Sequence, residues 1–299
     1  MGFAVLDGGL ATELERKGFD LDHSLWSARL VLENPAAIRD VHLSYLEAGA
    51  DIITTASYQA SFPGCIALGI EEKQVVGLLK QTVEIGTAAR GEFLRENSDR
   101  SKPLVAASVG PYGAYLANGA EYSGDYGISK DKLYDFHARR FEILANTESD
   151  LIACETIPSF EEAGVLLKLI DQTSKKQAYL SFSCKDDEHI NDGTPIKDCA
   201  AMLADCENIF GIGVNCTAPG FVSGLIKQIK TGAPEKEVVV YPNSGETYDP
   251  VSKTWNGISI EKDFPALAQE WFQKGAKVIG GCCRTTPEHI FAIRETLSG

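Results

Sequence analysis

The sequence predicts an α/β protein, a single (β/α)8 barrel of the TIM type spanning residues 1–299 as one domain. Three observations carry that prediction. Eight short, near-continuously apolar runs recur, each is followed by a segment of helical character, and no Pro/Ser-rich linker or shift of composition divides the chain. Strands that are apolar on both faces belong to a parallel sheet covered by helices. A length of 299 residues suits a barrel, since such units commonly run to ~250 residues. A doubly wound open sheet is the alternative, but no strand leads into the GxGxxG turn that would support it.

Taken in order, the first strand is Phe3 to Asp7. A helix follows from Asn34-Pro35, with Ile38, Val41 and Tyr45 on one face, Pro35 in its first turn and Gly49 as its stop. The second and third strands are Asp51 to Ala56 and Leu104 to Val109. The stretch from Tyr112 to Ile128 carries four tyrosines, several glycines and no period. It reads as a functional loop, because structureless connections above ~12 residues are uncommon. Leu133, Phe136, Arg140 and Leu144 then mark a helix, with Arg140 laying its aliphatic stem along the apolar face. After the fourth strand, Leu151 to Cys154, Ser159 and Glu162 form a capping box ahead of Val165, Leu166 and Leu169. The fifth strand is Ala178 to Ser183, followed by a helix with Ile196, Cys199 and Leu203 on one face. Ile209 to Cys216, Val238 to Tyr241 and Lys277 to Gly281 complete the eight, and Thr286-Pro287 opens a last helix bearing Ile290, Ile293 and Leu297.

Composition narrows the function. Hydrophobic residues make up 44% and charged residues 23%, the balance of a soluble enzyme. A formal charge of −14 leaves no basic footprint for nucleic acid, whereas cationic or zwitterionic small molecules stay open as partners. No apolar run approaches the ~18 residues of a membrane span, and the N-terminus has neither the basic lead nor the cleavage site of a secretory leader. Met1-Gly2 opens like a myristoylation signal, but Leu6 stands where Ser or Thr is required. A cytoplasmic protein is expected, and in that compartment its eight cysteines are thiols.

Barrel chemistry sits where strands end. Here those ends read Asp7-Gly8-Gly9, Thr54-Thr55, Cys154-Glu155-Thr156, Asn215-Cys216 and Gly280-Gly281-Cys282-Cys283, so four cysteines and two carboxylates are expected on one face. Cys216, Cys282 and Cys283 suit Zn²⁺: three thiolates leave a fourth tetrahedral position open, the layout of a catalytic site. Redox-active thiols are the alternative, since the CxxC spacing of common zinc motifs is absent. Cys65, Cys184, Cys199 and Cys206 read as small buried hydrophobes. A metal-dependent hydrolase is disfavoured because no histidine stands at a strand end; His23, His42, His137, His189 and His289 read as structural or exposed.

Gly213-Val214-Asn215-Cys216 followed by Gly280-Gly281-Cys282-Cys283-Arg284-Thr285-Thr286-Pro287 resembles the zinc signature of the homocysteine S-methyltransferases, relatives of the betaine-dependent enzymes. Asp7-Gly8-Gly9, Leu25-Trp26-Ser27, Ser108-Val109-Gly110-Pro111-Tyr112-Gly113-Ala114-Tyr115-Leu116, Ala153-Cys154-Glu155-Thr156 and Tyr241-Pro242-Asn243-Ser244-Gly245-Glu246 look like the shorter members, which use S-methylmethionine or S-adenosylmethionine. The resemblance covers essentially the whole chain. It implies one zinc per chain on Cys216, Cys282 and Cys283, and transfer of a methyl group from a sulfonium donor to homocysteine. It further implies that Asp7 and Glu155 hold the homocysteine ammonium, that Gly8 and Gly9 offer N–H groups to its carboxylate, and that Trp26 and Ser27 lie near the donor. Asn215 is expected to support the neighbouring ligand. The tyrosines after the third strand are candidate seats for a sulfonium, or simply close the barrel. A selenol acceptor and a zinc-buffering or thiol-redox protein remain as rival readings. Ending at Gly299, the chain is expected to lack the oligomerising arm of the betaine enzymes and any folate or cobalamin module.

Overall fold

A computed structural model describes residues 2–21, 27–116, 118–173, 175–249, 254–256 and 263–299. Eight parallel strands form its barrel: β1 (Ala4–Val5), β2 (Ile52–Thr54), β3 (Leu104–Val109), β4 (Leu151–Ile157), β5 (Ala178–Phe182), β6 (Ile209–Asn215), β7 (Glu237–Tyr241) and, after the hairpin β8 (Thr247–Asp249) and β9 (Thr254–Asn256), β10 (Ala276–Ile279). Their spatial order is β1-β10-β7-β6-β5-β4-β3-β2. The ring closes between β1 and β2 through one bridge, Leu6 with Ile52, flanked by Asp7 N donating to Ile52 O at 3.0 Å and Asp51 N donating to Val5 O at 2.7 Å. All eight sequence-predicted strands are present, with helices between them. The hairpin after β7 was not foreseen, and it pairs Tyr248 with Trp255.

Alternation along each strand sorts the core into two bodies. Leu6, Ile52, Ala106, Ala153, Tyr179, Val239, Tyr241 and Val278 fill the barrel, while Val5, Ile53, Val105, Cys154, Leu180, Ile212 and Val240 pack outward against the helices. Two aspartates pin the lower rim. Asp51, ahead of β2, accepts Val5 N at 2.8 Å and pairs with Arg294; Asp150, ahead of β4, accepts Val105 N at 2.8 Å and pairs with Arg90 and Lys102. These contacts hold Asp150 below the usual carboxylate range despite its partial burial.

The helix Pro35–Glu47 begins as its sequence predicts, with Asn34 Oδ1 accepting Ala37 N at 3.3 Å. Glu162 departs from expectation. Its own N–H reaches Ser159 Oγ at 3.4 Å, but its carboxylate does not return to close a capping box. Instead it accepts Tyr112 N at 2.6 Å, Tyr126 OH at 2.8 Å and His137 Nε2 at 2.7 Å. The Tyr112–Ile128 stretch is likewise not structureless: it forms a helix at Tyr112–Leu116 and a 3-10 turn at Ala120–Tyr122. Among the described residues no helix is long and apolar enough to cross a membrane.

Candidate functional site

The same alternation that builds the barrel places a polar layer at the C-terminal ends of its strands. Counting inward-facing positions upward from the apolar plug gives Thr54, Ser108, Glu155, Ser181, Asn215 and Tyr241 on β2 to β7. These groups satisfy one another. Ser108 Oγ donates to Glu155 Oε1, and Tyr241 OH donates to Glu155 Oε2 at 3.1 Å. Ser181 Oγ donates to Asn215 Oδ1 at 2.7 Å and lies 2.6 Å from Tyr241 OH, a contact whose proton comes from Tyr241 when Glu155 is protonated. The Asn215 amide then donates to Thr156 Oγ1 at 2.7 Å and toward Cys282 Sγ at 3.8 Å. One continuous chain therefore joins a carboxylate to a cysteine sulfur.

The backbone around this layer is strained where the chemistry lies. Among the described residues, the non-glycine residues with positive φ are Thr156 at 62°, Cys216 at 46° and Arg284 at 65°. One follows Glu155, one is a candidate ligand and one follows Cys283. Such conformations cost about 1–3 kcal/mol each and persist only where the surroundings impose them. The turn at Cys216 leaves its sulfur 3.8 Å from that of Cys283, and the sulfurs of Cys216, Cys282 and Cys283 all lie within 4.8 Å of one another. Cys154, by contrast, faces the helix layer, one residue out of phase with Glu155, and takes no part in the cluster.

Tetrahedral thiolates at ~2.3 Å from Zn²⁺ stand ~3.8 Å apart, so the Cys216–Cys283 separation fits a shared metal and the soft donor set fits zinc. The Cys282 thiol is pulled well below its ordinary value by hydrogen bonds from Cys216 and Cys283 and by the Asn215 amide, while giving up hydrogen bonds to the other two sulfurs pushes Cys216 up.

Asp7 lies across the mouth from Glu155. It accepts Thr54 N at 2.7 Å and Thr54 Oγ1 at 3.1 Å. Burial raises Asp7 well above the ordinary carboxylate range against the pull of those donors, and burial pushes Glu155 up to about 7. No basic side chain contributes to either shift, so both are buried carboxylates without a counter-ion among the described residues.

The loops after β1 and β10 are sewn together by Thr285 and Tyr45. Thr285 Oγ1 accepts Gly9 N at 3.1 Å and donates to Cys282 O at 2.7 Å; Tyr45 OH donates to Gly9 O at 3.0 Å. A side chain at Gly8 would meet the Tyr45 ring at 2.8 Å, which explains a glycine there. The Gly9 N–H is thereby engaged within the protein, leaving Gly8 as the amide available for a ligand role. Ser27 is buried at the start of the helix Ala28–Glu33, and Trp26 lies outside the described residues. Tyr112 packs on Tyr115, Tyr126 and Phe136, and Tyr115 also on Phe136, with ring centroids 4.9–5.6 Å apart. Sequence assigns no role to Ser108, Ser181 or Tyr241 and marks Thr54 only as a strand end; the two-residue period within each strand places all four on the inner face.

A soft three-sulfur cluster beside two uncompensated carboxylates at the mouth of a (β/α)8 barrel defines an enzyme for a small cationic thiol-type substrate. Comparison with known proteins narrows that class. The family model described as Homocysteine S-methyltransferase matches residues 4–297. Homocysteine S-methyltransferase YbgG of Bacillus subtilis is 49% identical over 96% of this chain and 91% of its own, and a Selenocysteine Se-methyltransferase of Brassica oleracea is 46% identical over 99% and 89%. Crystal structures of the homocysteine methyltransferase MmuM from Escherichia coli, in oxidized and metallated forms, superpose with TM-scores of 0.89 and 0.88 at 41% identity, covering 99% of this chain and 96% of theirs. The chain belongs to the homocysteine S-methyltransferase family.

Proposed function

We propose that the protein is a zinc-dependent methyltransferase that moves a methyl group from a sulfonium donor, S-methylmethionine before S-adenosylmethionine, to L-homocysteine. The observation that carries the reading is the pairing of Cys216, Cys282 and Cys283 with two buried carboxylates that lack a counter-ion, which provides for both ends of an amino-acid thiol. Family membership and the metallated form of MmuM support it.

In this reading Cys216, Cys282 and Cys283 hold the metal, and Asn215 steadies Cys282. When bound, zinc would lower the pKa of a thiol in its remaining tetrahedral position, making it a thiolate at neutral pH. Glu155 and Asp7 receive the homocysteine ammonium, and the Gly8 amide faces its carboxylate. With both ends of the acceptor held, its sulfur is oriented for in-line attack on the donor methyl. The new S–CH3 bond forms as the donor's S–CH3 bond breaks. The bonding pair stays on the donor sulfur, which departs as a neutral thioether. From S-methylmethionine and homocysteine the products are two molecules of methionine. A thioether is a far weaker base than a tertiary amine and therefore the better leaving group, which makes a sulfonium a better methyl source than a quaternary ammonium. Purified, zinc-loaded protein is therefore expected to form methionine rapidly with S-methylmethionine and negligibly with betaine or methyltetrahydrofolate. Equal turnover with betaine would overturn the donor assignment. The Brassica relative's name favours one second reading, a selenol acceptor, which the same assay tests with selenocysteine in place of homocysteine.

Glu155→Gln and Asp7→Asn are expected to keep zinc but to bind homocysteine roughly tenfold to a hundredfold more weakly, the effect of losing a charge-assisted contact. The product methionine, which brings no thiol proton, isolates the carboxylate. Burial pushes Glu155 up to about 7, so methionine affinity should fall as pH falls through that value and the carboxylate takes up a proton. Glu155→Gln should flatten that dependence. Unchanged homocysteine titrations in both variants would remove the ammonium assignment.

A further inference from the structure

Glu121 has no place in the scheme above, yet it is a further carboxylate carried by the loops at the C-terminal ends of the strands. It lies in the 3-10 turn Ala120–Tyr122, in the segment that follows β3. The turn is pinned to the barrel rim. Its Glu121 carbonyl accepts Ser183 Oγ, just past β5, at 3.1 Å and Asn191 Nδ2 at 3.4 Å, and Asn191 Nδ2 also donates to Ser183 Oγ at 2.9 Å. On its other side Gly113 packs so tightly that a Cβ there would stand 2.8 Å from Glu121 Cα. Gly124, closing the turn, sits against Pro158 O, beyond β4, with room for no side chain. The carboxylate is thus carried on a rigid strap between the ends of β3, β4 and β5.

One oxygen of that carboxylate lacks a partner, although the group has its own backbone N–H as a donor. Its Oε2 is buried and accepts no hydrogen bond among the described residues, in contrast to Asp7 and Glu155, each of which has two donors. No basic side chain offsets its burial, which raises it above the ordinary carboxylate value. The turn is held by Ser183, and the next residue, Cys184, donates its N–H at 3.0 Å to Oγ1 of Thr217, the residue directly after Cys216, which sets the turn beside the β6 end that carries the cluster. A buried oxygen without a donor costs about 1–3 kcal/mol, more when charged, so a site that retains one is built to receive a donor or a cation.

We propose that Glu121 binds the methyl donor, its carboxylate supplying the counter-charge for the donor's cationic end. The inference rests on the sulfonium-donor reading above. Homocysteine carries one positive group, and Asp7 and Glu155 already face it. The donor arrives with a second amino-acid ammonium and a sulfonium, and Glu121 is the unmatched negative group on the side of the cluster where the donor must approach.

The test uses the zinc-loaded full-length protein with S-methylmethionine and homocysteine as varied substrates, in the parent and in Glu121→Gln and Glu121→Asp. Glu121→Gln is expected to raise the KM for S-methylmethionine roughly tenfold to a hundredfold while leaving the homocysteine KM and zinc content unchanged, and Glu121→Asp to fall between. An unchanged donor KM would overturn the proposal. So would equal rises in both KM values or loss of zinc, which mark a structural role. If the parent itself transferred no methyl group from either sulfonium donor, the functional reading would fail first and this inference with it; normal parent turnover with an indifferent Glu121→Gln would sink the inference alone.

Discussion

Cys216→Ser, Cys282→Ser and Cys283→Ser should each lose zinc and turnover while keeping the fold. A serine hydroxyl is a hard, protonated group at neutral pH and does not replace a thiolate as a zinc ligand. Removing a partner that merely supports a ligand costs about 10- to 100-fold in metal affinity, so removing a ligand should cost more than about a hundredfold. The barrel core is assembled from Leu6, Tyr179, Val239 and their neighbours without help from the cluster, so melting temperatures should move only slightly. Metal content after dialysis against a fixed free-zinc concentration, measured beside methionine formation, checks the expectation. Full occupancy in any one variant would strike that cysteine from the ligand set.

The second large effect is on stability. Arg140 and Glu162 are both fully buried, and His137 stands between them. Arg140 donates to Gly110 O and to His137 Nδ1 at 2.9 Å and lies over the Phe136 ring at 4.6 Å. Burial, reinforced by Arg140, pushes His137 down to about 4, so its ring is neutral and accepts at Nδ1 while donating from Nε2 to Glu162. Arg140→Met leaves Glu162 buried without its cation, a change that costs about 3–5 kcal/mol. At about 2–4 °C per kcal/mol for a chain of this order, the melting temperature should drop by roughly 6–20 °C. The double variant Arg140→Met/Glu162→Gln should recover part of the loss, because no uncompensated charge remains. A single variant within about 1 kcal/mol of the parent would show that the triad is not a buried charge system at all.

Much of this molecule is local in origin and was legible residue by residue. Apolar runs of strand length and Asn34-Pro35 and Thr286-Pro287 at helix starts express short-range steric and hydrogen-bonding preferences, from which the barrel follows; the three candidate ligands follow from their placement at strand ends. Alternation along a strand corrects one local expectation. Cys154 was grouped with the other strand-end cysteines, but alternation along β4 turns it to the helices while Glu155 faces inward. The polar layer of Ser108, Ser181 and Tyr241 obeys the same rule, but its hydrogen bonds run between strands that are distant in sequence.

Other features have no local signature. Ser159-x-x-Glu162 is a sound capping pattern, yet Glu162 finds stronger partners in Tyr112, Tyr126 and His137, because a fully buried carboxylate gains more from three donors across the fold than from one backbone amide nearby. Arg140 was expected to lay its stem on the core, and instead its charged head is inside as well. Helical and strand periods sufficed for the architecture, and the identities of the strand-end cysteines for the soft three-sulfur cluster. Which sulfurs meet, which backbone positions bear positive φ, and which carboxylates, Glu121 among them, are buried without a counter-ion depend on packing between segments distant in sequence. Desolvation and strain are properties of the assembled barrel, and no window along the chain contains them.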